Sequence, residues 1–201
     1  MELQEIIKKF RHFVQEKAPY AKVCRQLDAY DSGDFWKHVK AKVPKHQMLV
    51  DTNYINYSDD GETWTSAKIT DSNRSWVDVC YGNGKFVAIS TGANLFSYST
   101  DGKSWTESTI STTSRSWKAI IYAAGIFVII CGDSSYIAYS TNGVNWTEKS
   151  IGTDHNWTGI CYGNGKFVMI GYEGYVATST NGISWTISQP VESASWTSIC
   201  Y

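Results

Sequence analysis

Charge is what this chain has least of. Asp, Glu, Lys and Arg make up 18% of it, against about a quarter in an ordinary globular domain. That sets it apart from disordered, collagen-like and coiled-coil chains. Long apolar runs are missing too. The longest, Ile120–Tyr122 and Ile126–Cys131, are interrupted by Gly125 and are far shorter than the ~20 residues a bilayer-spanning helix needs, so no membrane insertion is expected. The start, Met1-Glu2-Leu3-Gln4-Glu5, lacks the basic and apolar regions of a secretory signal, and the expected site of synthesis and folding is the cytosol. No Cys-x-x-Cys pair or His/Cys cluster has zinc spacing. No Gly-x-Ser-x-Gly or phosphate loop occurs. Neither a metal nor a cofactor is expected.

Cysteine is present in an odd number, five. Cys80, Cys161 and Cys200 share one context, Val/Ile-Cys-Tyr, and Ile121 fills that slot once. A site that takes Cys or Ile alike is an apolar packing site, so buried free thiols are expected rather than disulfides.

What the sequence does have is tryptophan, glycine and tyrosine on a fixed period. Ser58-Asp59-Asp60-Gly61-Glu62-Thr63-Trp64, Ser99-Thr100-Asp101-Gly102-Lys103-Ser104-Trp105, Ser140-Thr141-Asn142-Gly143-Val144-Asn145-Trp146 and Ser179-Thr180-Asn181-Gly182-Ile183-Ser184-Trp185 are copies of one segment. Their tryptophans lie 41, 41 and 39 residues apart. A second series, Trp76, Trp117, Trp157 and Trp196, is spaced 41, 40 and 39. Only Trp36 stands outside both. Each unit reads as four short strands: in the first complete one, Trp76–Tyr81, Phe86–Ser90, Leu95–Ser99 and Ser104–Glu107. Asn83-Gly84 makes a hairpin turn requiring positive φ, and Asp101-Gly102 makes the next. Four strands per ~40 residues is the arithmetic of a β-propeller blade. The predicted fold is therefore mainly β, a propeller preceded by a small helical segment.

The repeated turn has a local physical role. Asp60, Asp101, Asn142 and Asn181 hydrogen-bond the backbone of their own turns. Gly61, Gly102, Gly143 and Gly182 supply left-handed geometry. Trp64, Trp105, Trp146 and Trp185 pack each hairpin onto its blade. A catalytic carboxylate is excluded at this position, because two of the four residues are Asn.

These turns resemble the Asp box, or BNR repeat, of bacterial neuraminidases, without the residue that usually separates Asp from Gly. The shorter form, with the hairpin Tyr81-Gly82-Asn83-Gly84-Lys85-Phe86, is similar to repeats in tail-fibre proteins of phages, prophages and phage-tail-like bacteriocins. The resemblance covers about residues 54–201. It implies a homotrimeric receptor-binding protein attached to a tail or baseplate. Such a protein assembles in the bacterial cytoplasm and ends up in a virion or extracellular tail-like particle. The neuraminidase side of the resemblance implies three arginines around a sialic acid carboxylate. The repeat region holds only Arg74 and Arg115, at one repeat position, and Lys cannot replace the bidentate guanidinium.

The repeats divide the chain into a segment 1–50 and a propeller region 51–201. The latter reads as a half blade at 54–65, full blades at about 75–107, 116–148 and 156–187, and a partial blade at 195–201. A closed ring of six to eight blades needs about 240–330 residues, so the expectation is a fragment of a longer protein. Segment 1–50 carries ten Lys/Arg against six Asp/Glu, and 51–201 eight against thirteen. The near-neutral total gives no nucleic-acid footprint. Leu3, Ile6, Ile7, Phe10, Phe13 and Val14 follow helical spacing, Tyr20, Val23, Cys24, Leu27 and Tyr30 continue it, and Phe35, Trp36 and Val39 suggest a third short helix. Too small for a core of its own, this segment is expected to dock on tail or baseplate proteins through Ile6, Ile7, Phe10, Phe13, Val14 and Trp36.

In a propeller the turns inside strand pairs one–two and three–four share one face, and the remaining links share the other. Here the first set is repetitive and the second varies, the usual arrangement for recognition loops on a scaffold. Arg74, Arg115, Asp133, Tyr136, His155, Tyr172 and Glu173 are the candidate receptor- or glycan-binding residues, since aromatic faces stack on sugars and polar groups bond their hydroxyls. The expected function is non-enzymatic binding of a cell-surface glycan. The alternatives are a neuraminidase-like or other glycan-acting hydrolase, and a cytosolic propeller scaffold that binds protein.

Overall fold

The computed structural model describes residues 22–23, 47–50, 54–58, 62–68, 75–111 and 113–201. The first sheet is built from β1 (Lys22–Val23), β2 (Gln47–Val50), β3 (Tyr54–Ser58) and β4 (Thr65–Lys68) in that order. The second contains β5 (Ser75–Gly82), β6 (Lys85–Ala93), β7 (Leu95–Ser99) and β8 (Thr106–Thr109). The third contains β9 (Arg115–Ala123), β10 (Ile126–Cys131), β11 (Tyr136–Ser140) and β12 (Thr147–Ser150). The fourth contains β13 (Trp157–Gly163), β14 (Lys166–Gly171), β15 (Val176–Ser179) and β16 (Thr186–Ser188). Every pairing within a sheet is antiparallel between sequence neighbours. The end of β6 also pairs with the start of β9, Thr91 with Ser116 and Ala93 with Arg115.

The core lies between sheets, as blades require. One cluster joins Cys80, Val87, Ile89 and Phe96 of the second blade to Trp117, Ile120, Phe127 and Ile129 of the third. Another joins Ala119, Ile130 and Ile137 to Trp157, Met169 and Ala177 of the fourth. Met48, Val50 and Ile55 pack likewise on Trp76, Val79 and Phe86. Alternation within each strand supplies both faces, because successive side chains point to opposite sides of a sheet.

The hairpin turns follow the predicted chemistry. Asn83 and Asn164 take φ of 45° and 47° before Gly84 and Gly165, the left-handed pair of a type I′ turn. The copy in the third blade puts Ala124 in the same conformation, at φ 50°, without a side-chain carbonyl to relieve it.

The structure departs from the sequence reading in several places. The strands at 54–58 and 65–68 are completed by β1 and β2, both from the first fifty residues, so one sheet crosses the boundary expected at residue 50. Val23, placed on a helix by its spacing, instead sits in β1 opposite Leu49. There it covers the edge of β2 that would otherwise leave ladder groups unpaired. No α-helix occurs among the described residues, and none of their helices is long and apolar enough to cross a membrane. Ile6, Ile7, Phe10, Phe13, Val14 and Trp36, with the helices proposed on them, lie outside the described residues, as do Asp60, Gly61 and Arg74. Trp196–Tyr201, expected as the first strand of a partial blade, makes no ladder. It does lie against β13. Thr158 Oγ1 donates to Trp196 O at 2.6 Å, and a Cβ added at Gly163 would fall inside the ring of Tyr201. Gly82 stands in the same relation to Tyr122.

Cys80, Cys131, Cys161 and Cys200 are free thiols. The first two are buried, but Cys200 is exposed, because no sheet among the described residues covers the outer face of its segment.

Candidate ligand-binding groove

The repeated turn is a closed hydrogen-bond unit. In the second blade Ser99 Oγ accepts the N–H groups of Asp101 and Gly102 at 3.2 and 2.8 Å. Asp101 Oδ1 accepts those of Lys103 and Ser104, each at 2.8 Å. Trp105 Nε1 donates back to Gly102 O at 3.1 Å. The backbone donors of Ser104 and Lys103, then the Ser99 hydroxyl, hold the Asp101 carboxyl down at about 2. In the third blade Asn142 Oδ1 accepts from Val144 and Asn145 at 2.9 Å each. In the fourth, Asn181 Oδ1 accepts from Ile183 and Ser184 at 2.9 and 2.8 Å. The carboxylate oxygen and the amide oxygen do the same work, so the negative charge is not what this position requires.

The two sets of links segregate. Asn83 Nδ2, in a one–two turn, donates to Thr141 O of the neighbouring repeated turn at 3.0 Å. On the other side, Ile110 N donates to Asn94 O at 2.7 Å, Ile151 N to Ser135 O at 2.8 Å, and Gly174 N to Ala194 O at 2.6 Å. These bonds tie each two–three link to the connection that follows its blade.

A further device recurs at the start of the first strand of the second, third and fourth blades. Trp76 pairs with Ser90 and Asp78 with Ile89. Trp117 pairs with Cys131 and Ala119 with Ile130. Trp157 pairs with Gly171 and Gly159 with Ile170. The residue after each tryptophan, Val77, Lys118 or Thr158, is thus the extra residue of a β-bulge, a feature that re-aims side chains and is frequent beside functional sites. The tryptophan goes inward: Trp117 and Trp157 are essentially fully buried. Lys118 and Thr158 go to an open groove of about 190 Å³ lined also by Thr91, Ser116, Asp133, Asn156 and Tyr172.

Two of the predicted residues meet in this groove. Asp133 accepts from Ser116 Oγ at 2.6 Å through Oδ2 and from Cys131 Sγ at 3.2 Å through Oδ1. The Ser116 hydroxyl foremost lowers its pKa, against a smaller opposing effect of burial. Tyr172 leaves 45% of its surface exposed, and Trp157 lines the wall beneath with an indole N–H that has no partner. Glu173 follows Tyr172 in the left-handed region, at φ 57°, exposed at the surface, with its carbonyl accepting Gln189 Nε2 at 2.6 Å.

The other candidates are engaged elsewhere. Arg115 donates to Glu148 through Nε at 2.6 Å and through Nη2 at 3.4 Å, and its guanidinium lies 3.7 Å from the centre of the Tyr136 ring. His155, at the same repeat position, stacks on Tyr175 at 3.7 Å and meets Thr153 Oγ1 at 2.9 Å. Both cross their own blade face rather than pointing to a shared site. Ser116, Lys118, Asn156 and Thr158 were not foreseen. They flank the buried tryptophans in sequence, and part of the signal was there: the residue after Trp76, Trp117 and Trp157 is Val77, Lys118 and Thr158 in turn, while the tryptophan does not change. Among the described residues no three His, Cys, Asp or Glu side chains are grouped to hold a metal ion.

No protein-family model matches the chain, and no curated protein sequence matches it. Solved structures do. Virginiamycin B lyase from Staphylococcus aureus superposes with a TM-score of 0.68 at 15% identity, over 76% of this chain and 55% of the lyase. YCF48 from Cyanidioschyzon merolae gives 0.52 at 14%, over 76% and 58%. A GH74 enzyme of Niastella koreensis gives 0.50 at 24%, over 71% and 22%. The chain thus spans little more than half the length of the first two. At these identities the likeness is one of fold: this is a β-propeller-like protein. Because a lyase, a glycoside hydrolase and YCF48 share that fold, its function has to be argued from its own site.

Proposed function

We propose that the chain is a non-enzymatic receptor-binding protein of the phage-type tail-fibre class, whose propeller presents its variable side to a bacterial cell-surface glycan. The observation that carries this reading is the groove. Bulges aim Lys118 and Thr158 into a concave surface where Ser116, Asp133, Asn156 and Tyr172 also converge. Hydroxyls, an amide, a carboxylate and an exposed ring form the donor–acceptor mixture that sugars require. Arg115 supports a binding rather than a neuraminidase role, since its guanidinium is taken up by Glu148 and Tyr136.

The tail-fibre part of the proposal rests on the short Asp-box turns and the Tyr-Gly-Asn-Gly-Lys-Phe hairpins. It assigns residues 1–50 to attachment at a tail or baseplate, a homotrimer as the assembled form, and a virion or tail-like particle as the final location. The test is incubation of the purified chain with bacterial envelope polysaccharides, reading retention and released reducing ends together. Retention without release is expected. Release of sugar contradicts the proposal in favour of a glycan-acting hydrolase, and selective capture of protein instead of polysaccharide favours a scaffold.

A further inference from the structure

The groove narrows the class of glycan, an inference resting on the binding role just proposed. Asp133 is fixed by one donor on each carboxylate oxygen, Ser116 Oγ on Oδ2 and Cys131 Sγ on Oδ1. Each oxygen of an ionised carboxylate accepts about two hydrogen bonds; the backbone N–H groups of Asp133 and Ser116 also act on this carboxylate, and its two oxygens, side by side, keep the rest of their acceptor capacity for a ligand. Adjacent hydroxyls of a pyranose ring present donors at that spacing. Tyr172, exposed on the neighbouring blade and lining the same groove, offers a flat apolar face to the C–H side of the ring. Asn156 and Thr91 supply further donors and acceptors around it.

An acidic sugar is matched poorly. Recognition of its carboxylate favours a planar guanidinium fork, and Arg115 has given that fork to Glu148. The ammonium of Lys118 shares the groove with the Asp133 carboxylate, which repels a second anion and makes the wall close to neutral overall. We infer that the groove between the third and fourth blades binds a neutral hexopyranose through a vicinal diol, with Asp133 as the paired acceptor and Tyr172 as the stacking platform.

The experiment is calorimetric titration of the full chain with neutral and uronic-acid oligosaccharides, repeated for Asp133→Asn and Tyr172→Ala. Asp133→Asn replaces one acceptor oxygen by a donor. Tyr172→Ala removes an exposed ring and leaves the inter-blade core intact, so it keeps the inference testable should the first variant disturb Ser116 and the loop. Binding of neutral oligosaccharides, weakened at least tenfold by both substitutions, is the expected result. Binding confined to acidic oligosaccharides, or neutral binding untouched by Tyr172→Ala, overturns the neutral-ring assignment while leaving the receptor-binding reading in place. No binding to either class overturns both.

Discussion

Asp78 of the second blade accepts the backbone N–H of Ile120 in the third, at 3.0 Å from Oδ2, while its Oδ1 accepts the N–H of Val79 at 3.0 Å. Blades otherwise meet mainly through apolar side chains, so this carboxylate joins two sheets by a directional bond. The corresponding residues downstream, Ala119 and Gly159, offer no such acceptor. Asp78→Ala strands a part-buried backbone donor, at a cost of about 1–3 kcal/mol. Asp78→Asn keeps an acceptor and costs less. Urea unfolding of the two variants checks the order.

The repeated turn gives a pH prediction. Backbone donors depress the folded-state pKa of Asp101 to about 2, below its unfolded value of roughly 3.9. The stabilisation is therefore fully present above about pH 4 and is lost as the pH falls towards 2. Asn142 and Asn181 make the same bonds without a charge. Asp101→Asn should leave the melting temperature near neutrality almost unchanged and flatten its decline between pH 4 and pH 2. A steeper decline in the variant would contradict this account.

Ala124 holds a left-handed conformation that its counterparts Asn83 and Asn164 adopt more readily. Left-handed geometry costs an ordinary L-residue about 1–2 kcal/mol, and Asn tolerates it. Ala124→Asn should therefore raise stability by about 0.5–1 kcal/mol, read as a shift of the denaturation midpoint at constant slope.

Arg115 separates structural from binding roles. With Glu148 it forms a partly buried ion pair whose side chains retain 15% and 20% exposure, and it covers the Tyr136 ring. Lys cannot reproduce both contacts. Arg115→Lys should cost about 1 kcal/mol of stability and leave glycan affinity unchanged.

Much of this architecture was legible in the sequence, because period and turn chemistry are local. Asn83-Gly84 and Asp101-Gly102 mark turns that their own backbone requirements impose, and β5 to β8 fall close to the predicted strands. The bulges were not legible. A period-two pattern does not show whether Lys118 pairs with a partner residue or is the extra one, since that depends on the register against β10. Nor was β1. Val23 sits in helical spacing, and only an unpaired edge on β2, distant in sequence, makes a strand of it. At the site, Asp133 and Tyr172 were found because they lie in variable links. Ser116, Lys118, Asn156 and Thr158 were missed because their position depends on the bulge. Arg115 and His155 were nominated as candidate glycan-binding residues, and each is engaged by an aromatic ring on its own blade.

The central claim is that this propeller binds through the bulge-lined groove rather than through its repeated turns. It is tested most directly by comparing the affinity for an envelope polysaccharide of Tyr172→Ala, in the groove, with that of Lys103→Ala, in the exposed repeated turn. The account predicts at least a tenfold loss for the first and parental affinity for the second, with the two variants equally stable. Parental affinity for Tyr172→Ala together with a loss for Lys103→Ala would contradict it.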